Sequence, residues 1–198
     1  MKLFGATYTT SSDEELIEFL KKGKKKAFDE IYNRYAQKLM GYFYKMLWQD
    51  REKAEDMVHD IFLKIIQKPE QFDTSRSFRT WLFSVACNMC KNEYKKAEVR
   101  KNTKNSIDTN YQLSSSQNVL SEVQDLQFKE AYERAIKELD VKHQEVFTLR
   151  YFENLSIKEI AEIVEANEGT IKSRIFYATK QLASKLKEFK NEKIISYE

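Results

Sequence analysis

Apolar residues recur at three- and four-residue spacings along most of the chain, and polar stretches break them into helix-length segments. Leu16, Ile17, Phe19 and Leu20 form a first short stripe. It is opened by Ser12-Asp-Glu-Glu15 in the spacing of a capping box and closed by Lys21-Lys22-Gly23. From Ala27 to Leu47 the residues Phe28, Ile31, Tyr32, Tyr35, Leu39, Tyr42, Phe43 and Met46 predict one long amphipathic helix. After Gln49-Asp50-Arg51, a third helix carries Ala54, Met57, Val58, Ile61, Phe62, Ile65 and Ile66 and should stop near Pro69. The loop Lys68 to Ser77 then leads into Phe78, Trp81, Leu82, Val85 and Met89 on a fourth stripe.

The pattern fails between Asn102 and Asn118, where twelve of seventeen residues are uncharged Asn, Thr, Ser or Gln and too little is apolar to anchor a fold. It resumes with a second possible capping box, Ser121-x-x-Gln124, followed by Val123, Leu126, Phe128, Ala131, Tyr132, Ala135 and Leu139, and by a shorter apolar segment, Val146 to Phe152. Leu155 to Val164 then opens on Ser156-x-x-Glu159 and places Ile157, Ile160, Ala161 and Val164 on one face. Asn167 is a good N-cap for a last helix in which Ile171, Ile175, Ala178 and Leu182 face inward. Two short helices on a tight turn make a helix-turn-helix. The expected fold is all-α, with two small helical domains: an N-terminal helical bundle over residues 12–101 and a helix-turn-helix domain over 121–190, joined by a flexible polar linker over 102–120. No internal repeat relates the halves.

Composition agrees. Four Gly and one Pro in 198 residues leave little to punctuate short strands, and a 41% hydrophobic fraction can build real cores. Met1 to Ser12 holds no apolar run of signal-peptide length, and no stretch approaches a membrane span, so a cytoplasmic protein without membrane insertion is expected. Cys87 and Cys90 form a C-x-x-C, but His59 and His143 are isolated and no strand precedes the pair. Two small buried thiols one helical turn apart are a better reading than a zinc or redox site. Without a metal-ligand cluster, a phosphate-cradling glycine loop or a nucleophile-base pair, the sequence points to no catalytic residues, no metal and no cofactor.

Charge is distributed unevenly although the net is only +3. Asp50 to Ile66 holds five acids against three bases, which suits a solvated face or a docking surface for a basic partner. Lys91 to Lys104 holds six bases against two acids, close to Trp81 and Tyr94, which suits phosphates and unstacked bases. Gly169 to Lys187 holds five bases and no acid, whereas the preceding helix carries Glu159, Glu162 and Glu165. The last helix is therefore the one expected to enter a major groove. Gly169, Thr170, Lys172, Ser173, Arg174 and Tyr177 are its candidate contacts, with Gly169 serving close backbone approach to a phosphate or merely the turn. An ordinary solvated basic helix is the plainer alternative.

At this point the chain resembles a known family. Leu155-Ser-Ile-Lys-Glu-Ile-Ala-Glu-Ile-Val, then Gly169-Thr-Ile-Lys-Ser-Arg-Ile with Ala178 and Leu182, is similar to the promoter-reading C-terminal domain of extracytoplasmic-function (ECF) sigma factors. Ala27-Phe28, Tyr32, Tyr35, then Ala54 to Lys64, then Phe78-Arg-Thr-Trp-Leu-Phe83 with Ala86 and Asn88, resemble that family's N-terminal segments in order. The resemblance runs from about Asp13 to Leu186. It implies a factor, not an enzyme, that binds RNA polymerase core through its clamp and flap surfaces and directs initiation at promoters. Asp56, Asp60 and Phe62 would dock on the clamp. The loop Lys68 to Ser77 and the helix after it would capture the melted −10 element, with Arg76, Arg79, Trp81, Asn88, Lys91, Lys95 and Lys96 as contacts and a base flipped from the stack. The helix-turn-helix would read the −35 element, and an anti-sigma partner, often membrane-bound in this family, would hold the factor inactive.

Ser84, Cys87 and Asn92 stand where the family usually carries charge, which shifts the −10 phosphate contacts to Lys91, Lys95 and Lys96. Val85 stands where housekeeping relatives carry part of an aromatic melting pair, which implies weaker strand separation. Two rivals remain at this stage. A LuxR-type regulator shares the C-terminal pattern, but Phe28 to Lys96 lacks the strand-helix alternation of a receiver. An adaptor bundle predicts no salt-dependent DNA affinity.

Overall fold

The computed structural model describes residues 8–103 and 120–189, and every regular element among them is helical. In chain order these are α1 (Asp13–Lys21), α2 (Lys26–Met46), α3 (Arg51–Gln67), α4 (Phe78–Thr103), α5 (Leu120–Lys137), α6 (Val141–Tyr151), α7 (Ile157–Val164) and α8 (Glu168–Lys185), with 3-10 turns at 8–10, 69–71 and 187–189. The expected linker 102–120 lies outside the described residues except at its ends, which continue α4 and begin α5. The side chains of the Ser121-x-x-Gln124 box also lie outside them.

Local chemistry sets the boundaries. Ser12 Oγ accepts from the Glu15 amide at 3.2 Å while the Ser12 amide donates to Glu15 Oε2 at 2.8 Å, and Gly23 turns the chain after α1 at φ +76°. The Asp50 carboxylate accepts from the Lys53 amide at 3.0 Å to start α3, which ends two residues before Pro69. Ser156 and Glu159 form the second box at 3.2 and 2.8 Å, and Asn167 Oδ1 caps α8 by accepting from the Thr170 amide at 2.8 Å. Glu165, left-handed at φ 58°, makes the corner between α7 and α8.

Helices α1–α4 pack Leu16, Ile31, Leu39, Phe43, Ile61, Phe78, Leu82 and Phe83 with no exposed surface. Each contributes about 1.5–3 kcal/mol by leaving water. Tyr32, expected on the inward stripe of α2, is instead exposed. A smaller core of Ala135, Ile136, Leu139, Phe147, Ala178, Leu182 and Leu186 ties α5, α6 and α8 together beyond the helix-turn-helix.

The two halves pack against each other. Val146, Leu149, Leu155, Ile160, Ile163, Val164 and Ile171 of the second half belong to the same apolar cluster as the core of the first. Helix α4 lies along α7 and α2 against α6. Polar contacts cross the same boundary. Gln144 Nε2 donates to the Lys45 carbonyl at 2.7 Å, Arg79 donates to the Glu153 carbonyl, and Arg76 pairs with Glu162 at 3.0 Å. The Lys45 ammonium sits 4.2 Å from the centre of the Phe152 ring. Among the described residues no helix is long and apolar enough to cross a membrane.

Candidate nucleic-acid and polymerase interfaces

Helix α8 turns Ile171, Ala178 and Leu182 into the protein, which leaves the opposite face for a partner. Lys172, Ser173 and Tyr177 are exposed there, Gly169 is exposed in the first turn, and Thr170 and Arg174 are half-buried. Gly169, Lys172, Ser173 and Tyr177 therefore share one exposed surface, with Thr170 and Arg174 at its margin and Arg174 on the side of Glu145 of α6. A Cβ at Gly169 would lie 3.3 Å from Asn167 Oδ1, so a larger residue would press on the cap that starts the helix. Sequence reasoning missed Phe176. The residue is 61% exposed beside Tyr177 at 56%, with ring centroids 5.5 Å apart. An apolar side chain directly after Ile175 gives no periodic signal of exposure; only its distance from the inward stripe of α8 does.

The residues expected to hold a melted strand are spread along α4 and the loop before it. Trp81 is half-buried in an aromatic cluster, 5.3 Å from Phe72 and 5.7 Å from Phe78 between centroids. Asn88, Lys95 and Lys96 are exposed and Lys91 half-buried, whereas Arg76 and Arg79 are engaged with Glu162 and the Glu153 carbonyl. Lys96 is partly occupied as well. Glu93 binds it at 2.6 Å and binds Lys53 at 2.6 Å, and these two hydrogen bonds hold the Glu93 carboxyl below its ordinary value. Of the departures from the family pattern, Cys87 is fully buried, Ser84 turns back to the Thr80 carbonyl at 3.0 Å, and Asn92 is exposed.

On the first bundle, α2 and α3 flank an open groove of about 680 Å³ lined by Tyr32, Met40, Val58, His59, Phe62 and Leu63, among others. Phe62 forms its floor: the side chain is buried, 4.7 Å from the Tyr32 ring and 5.9 Å from that of Phe28. Asp56 and Asp60 are exposed on α3 one turn apart. Exposed Tyr32, His59, Leu63 and Ile66 complete the surface, and the sequence reading had not singled them out for docking. Tyr32 and Ile66 fitted the apolar stripes too well to be told from core.

Cys87 and Cys90 are both free and buried, and burial pushes both thiols above their ordinary value. Tyr42 Oη lies 3.0 Å from Cys87 Sγ. Among the described residues no three His, Cys, Asp or Glu side chains gather as metal ligands would.

Residues 31–100 match the family model described as Sigma-70 region 2, and residues 129–182 match Sigma-70, region 4. The ECF RNA polymerase sigma-E factor of Haemophilus influenzae is 30% identical over 88% of this chain and 95% of its own length. The ECF RNA polymerase sigma factor SigW of Bacillus subtilis is 30% identical over 87% and 95%. The solved structure of the sigma factor RpoE in complex with the anti-sigma factor NepR, from Bartonella quintana, superimposes with a TM-score of 0.66 at 25% identity. The match covers 82% of this chain and 98% of that one.

Proposed function

The chain belongs to the ECF sigma factors and directs promoter-specific initiation by RNA polymerase, and from that premise we propose how its surfaces divide the work. The α2–α3 groove docks on the polymerase clamp. Its apolar floor of Phe62 and Tyr32 supplies buried area, while exposed Asp56 and Asp60 supply negative charge for a basic partner. The first turns of α8 enter the major groove of the −35 element. There Lys172 and Arg174 meet phosphates or base edges and the Phe176–Tyr177 pair meets thymine methyl groups. The loop Lys68 to Ser77 and α4 hold the melted −10 strand, with Lys91, Lys95 and Lys96 on phosphates and Trp81 beside an extruded base.

The observation that carries this reading is the exposed face of α8, basic and without acid after Glu168, beside an acidic α7, which presents one helix of the pair to a polyanion. We infer that the chain performs no bond chemistry itself, that nucleotide polymerisation belongs to its partner, and that it works in the cytoplasm. A protein anti-sigma partner, membrane-bound or free, is part of the proposal. It is supported by the bound partner in the Bartonella quintana complex. Binding through the flap surface by the second bundle completes the contacts with core.

The test is initiation from a promoter library by sigma-free core polymerase supplied with the purified chain. Lys172→Ala/Arg174→Ala should lose start-site selection while still binding core, and Asp56→Ala/Asp60→Ala should lose core binding. If both variants bind core and select start sites as the parent does, the division of labour is wrong.

A further inference from the structure

Hydrogen bonds inside the loop Lys68 to Ser77 close its turns without fixing it to the bundle. The Gln71 and Phe72 amides donate to the Lys68 and Pro69 carbonyls at 3.1 and 3.3 Å, and the Ser75 and Arg76 amides donate to Asp73 Oδ1 and the Asp73 carbonyl, both at 3.0 Å. Phe72 anchors the loop by packing, buried 5.2 Å from the Phe78 ring and 5.3 Å from that of Trp81. A recognition site carried on a loop is only as precise as the side chains that support it from outside.

Helix α1 supplies that support. Glu14 and Glu18 lie one turn apart and share a face. Glu18 Oε1 accepts from Thr74 Oγ1 at 2.7 Å, across 56 residues of sequence. Glu14 Oε1 accepts from the Phe78 amide at 2.9 Å, so α4 is capped by a side chain of another helix, and a carboxylate there also suits the positive end of the α4 dipole. Ser77 Oγ, which accepts from the Thr80 amide at 3.3 Å, is the cap from α4's own segment. Hydrogen bonds from Thr74 and from Lys21, the latter at 3.1 Å, hold the Glu18 carboxyl below its ordinary value and so keep it an ionised acceptor. The helix is itself fixed. Leu16, Ile17 and Leu20 are buried in the core, and Asp13 is bound by Arg34 at 2.8 Å and by the Tyr35 hydroxyl.

We propose that α1 is a brace for strand recognition, in which Glu18 through Thr74 and Glu14 through the Phe78 amide fix the loop against Trp81 and so determine how strictly the extruded −10 base is selected. This rests on the assignment of the loop and α4 to the −10 strand. Glu14 and Glu18 are positioning residues, and neither needs to touch DNA. A loop free to shift admits any base, because selection depends on donors and acceptors meeting one base edge at a set distance. A loop tied at Thr74 and again at Phe78 keeps a single spacing from the aromatic cluster. Loss of the brace lowers discrimination more than affinity, since phosphate contacts by Lys91, Lys95 and Lys96 hold the strand without regard to sequence.

The experiment measures open-complex formation by core polymerase carrying the full chain, on a promoter selected from the library and on its single-base substitutions through the −10 element, with binding to core recorded for each variant. Glu14→Ala/Glu18→Ala should lower the preference at the extruded base by about 5-fold with core binding unchanged. Glu14→Gln/Glu18→Gln keeps both acceptor oxygens and should retain the preference. Thr74→Val leaves α1 intact and should reproduce the loss seen in Glu18→Ala, and the two together should be no worse than either alone. A parental preference in Glu14→Ala/Glu18→Ala, an equal loss in the glutamine pair, or additive losses from Thr74→Val and Glu18→Ala overturn the brace. Ser75→Ala/Arg76→Ala, at exposed positions of the loop, tests the assignment beneath it. An unchanged preference at every −10 position in that variant means that the loop does not read the strand, and the brace then falls with that reading. Circular dichroism of each variant establishes that it is folded.

Discussion

Asn167 does two jobs with one carbonyl oxygen. It accepts the Thr170 amide that opens α8, and it occupies the space beside Gly169 that a larger side chain would contest. Asn167→Ala should lower stability by about 1 kcal/mol, read as a fall in the urea midpoint at unchanged slope. It should also weaken −35 duplex binding, because the first turn it organises carries Thr170 and Lys172. A variant with duplex affinity intact would separate the cap from the DNA surface. Caps of this kind were legible in the sequence: Ser12 with Glu15, Ser156 with Glu159, and Asn167 all act within three residues of themselves, whereas Asp50 had read only as part of a polar break. Phe176 and Tyr32 were not legible as surface, because apolar identity carries no sign of whether the partner is the chain's own core or another molecule.

At the scale of elements, α7 and α8 show why a helix pair of opposite charge was informative. The pattern of Ile157, Ile160, Ala161 and Val164 against Ile171, Ile175, Ala178 and Leu182 fixed which faces turn inward, and the remaining faces then carried acid on one helix and base on the other. If α8 meets the −35 duplex through phosphates, Lys172→Ala should reduce the slope of log affinity against log salt by about 0.9. Phosphate contacts weaken all sequences alike, so the promoter preference of that variant should persist. A lost preference with an unchanged slope would make Lys172 a reader of bases. Helix α4 was legible as one stripe followed by a basic extension, and the structure joins both into one continuous helix from Phe78 to Thr103. What its pattern did not reveal is that α7 lies along it, since that contact depends on residues more than fifty positions apart.

For the whole molecule, the apolar cluster running from Leu16 to Ile171 ties the stability of one half to that of the other. Trp48 and Trp81 both report on the first half, whereas helical circular dichroism reports on both. Urea unfolding followed by the two signals should give coincident curves. A circular dichroism transition completed apart from the tryptophan transition would mean that the halves unfold independently. The sequence foresaw two helical units and the gap in the pattern between them, but not their packing. That packing uses Gln144, Glu145 and Glu153, which any reading by polarity assigns to solvent.

The buried pair Cys87 and Cys90 then acquires a use that has nothing to do with bonding between them. Both thiols sit beneath the boundary with α6, and burial suppresses the thiolate through which a cysteine reacts. A thiol reagent left in solution can reach them only while the structure is breached, and each capture is permanent. The labelled fraction thus grows with accumulated exposure time, so the protein carries its own stopwatch for how long and how often its halves part.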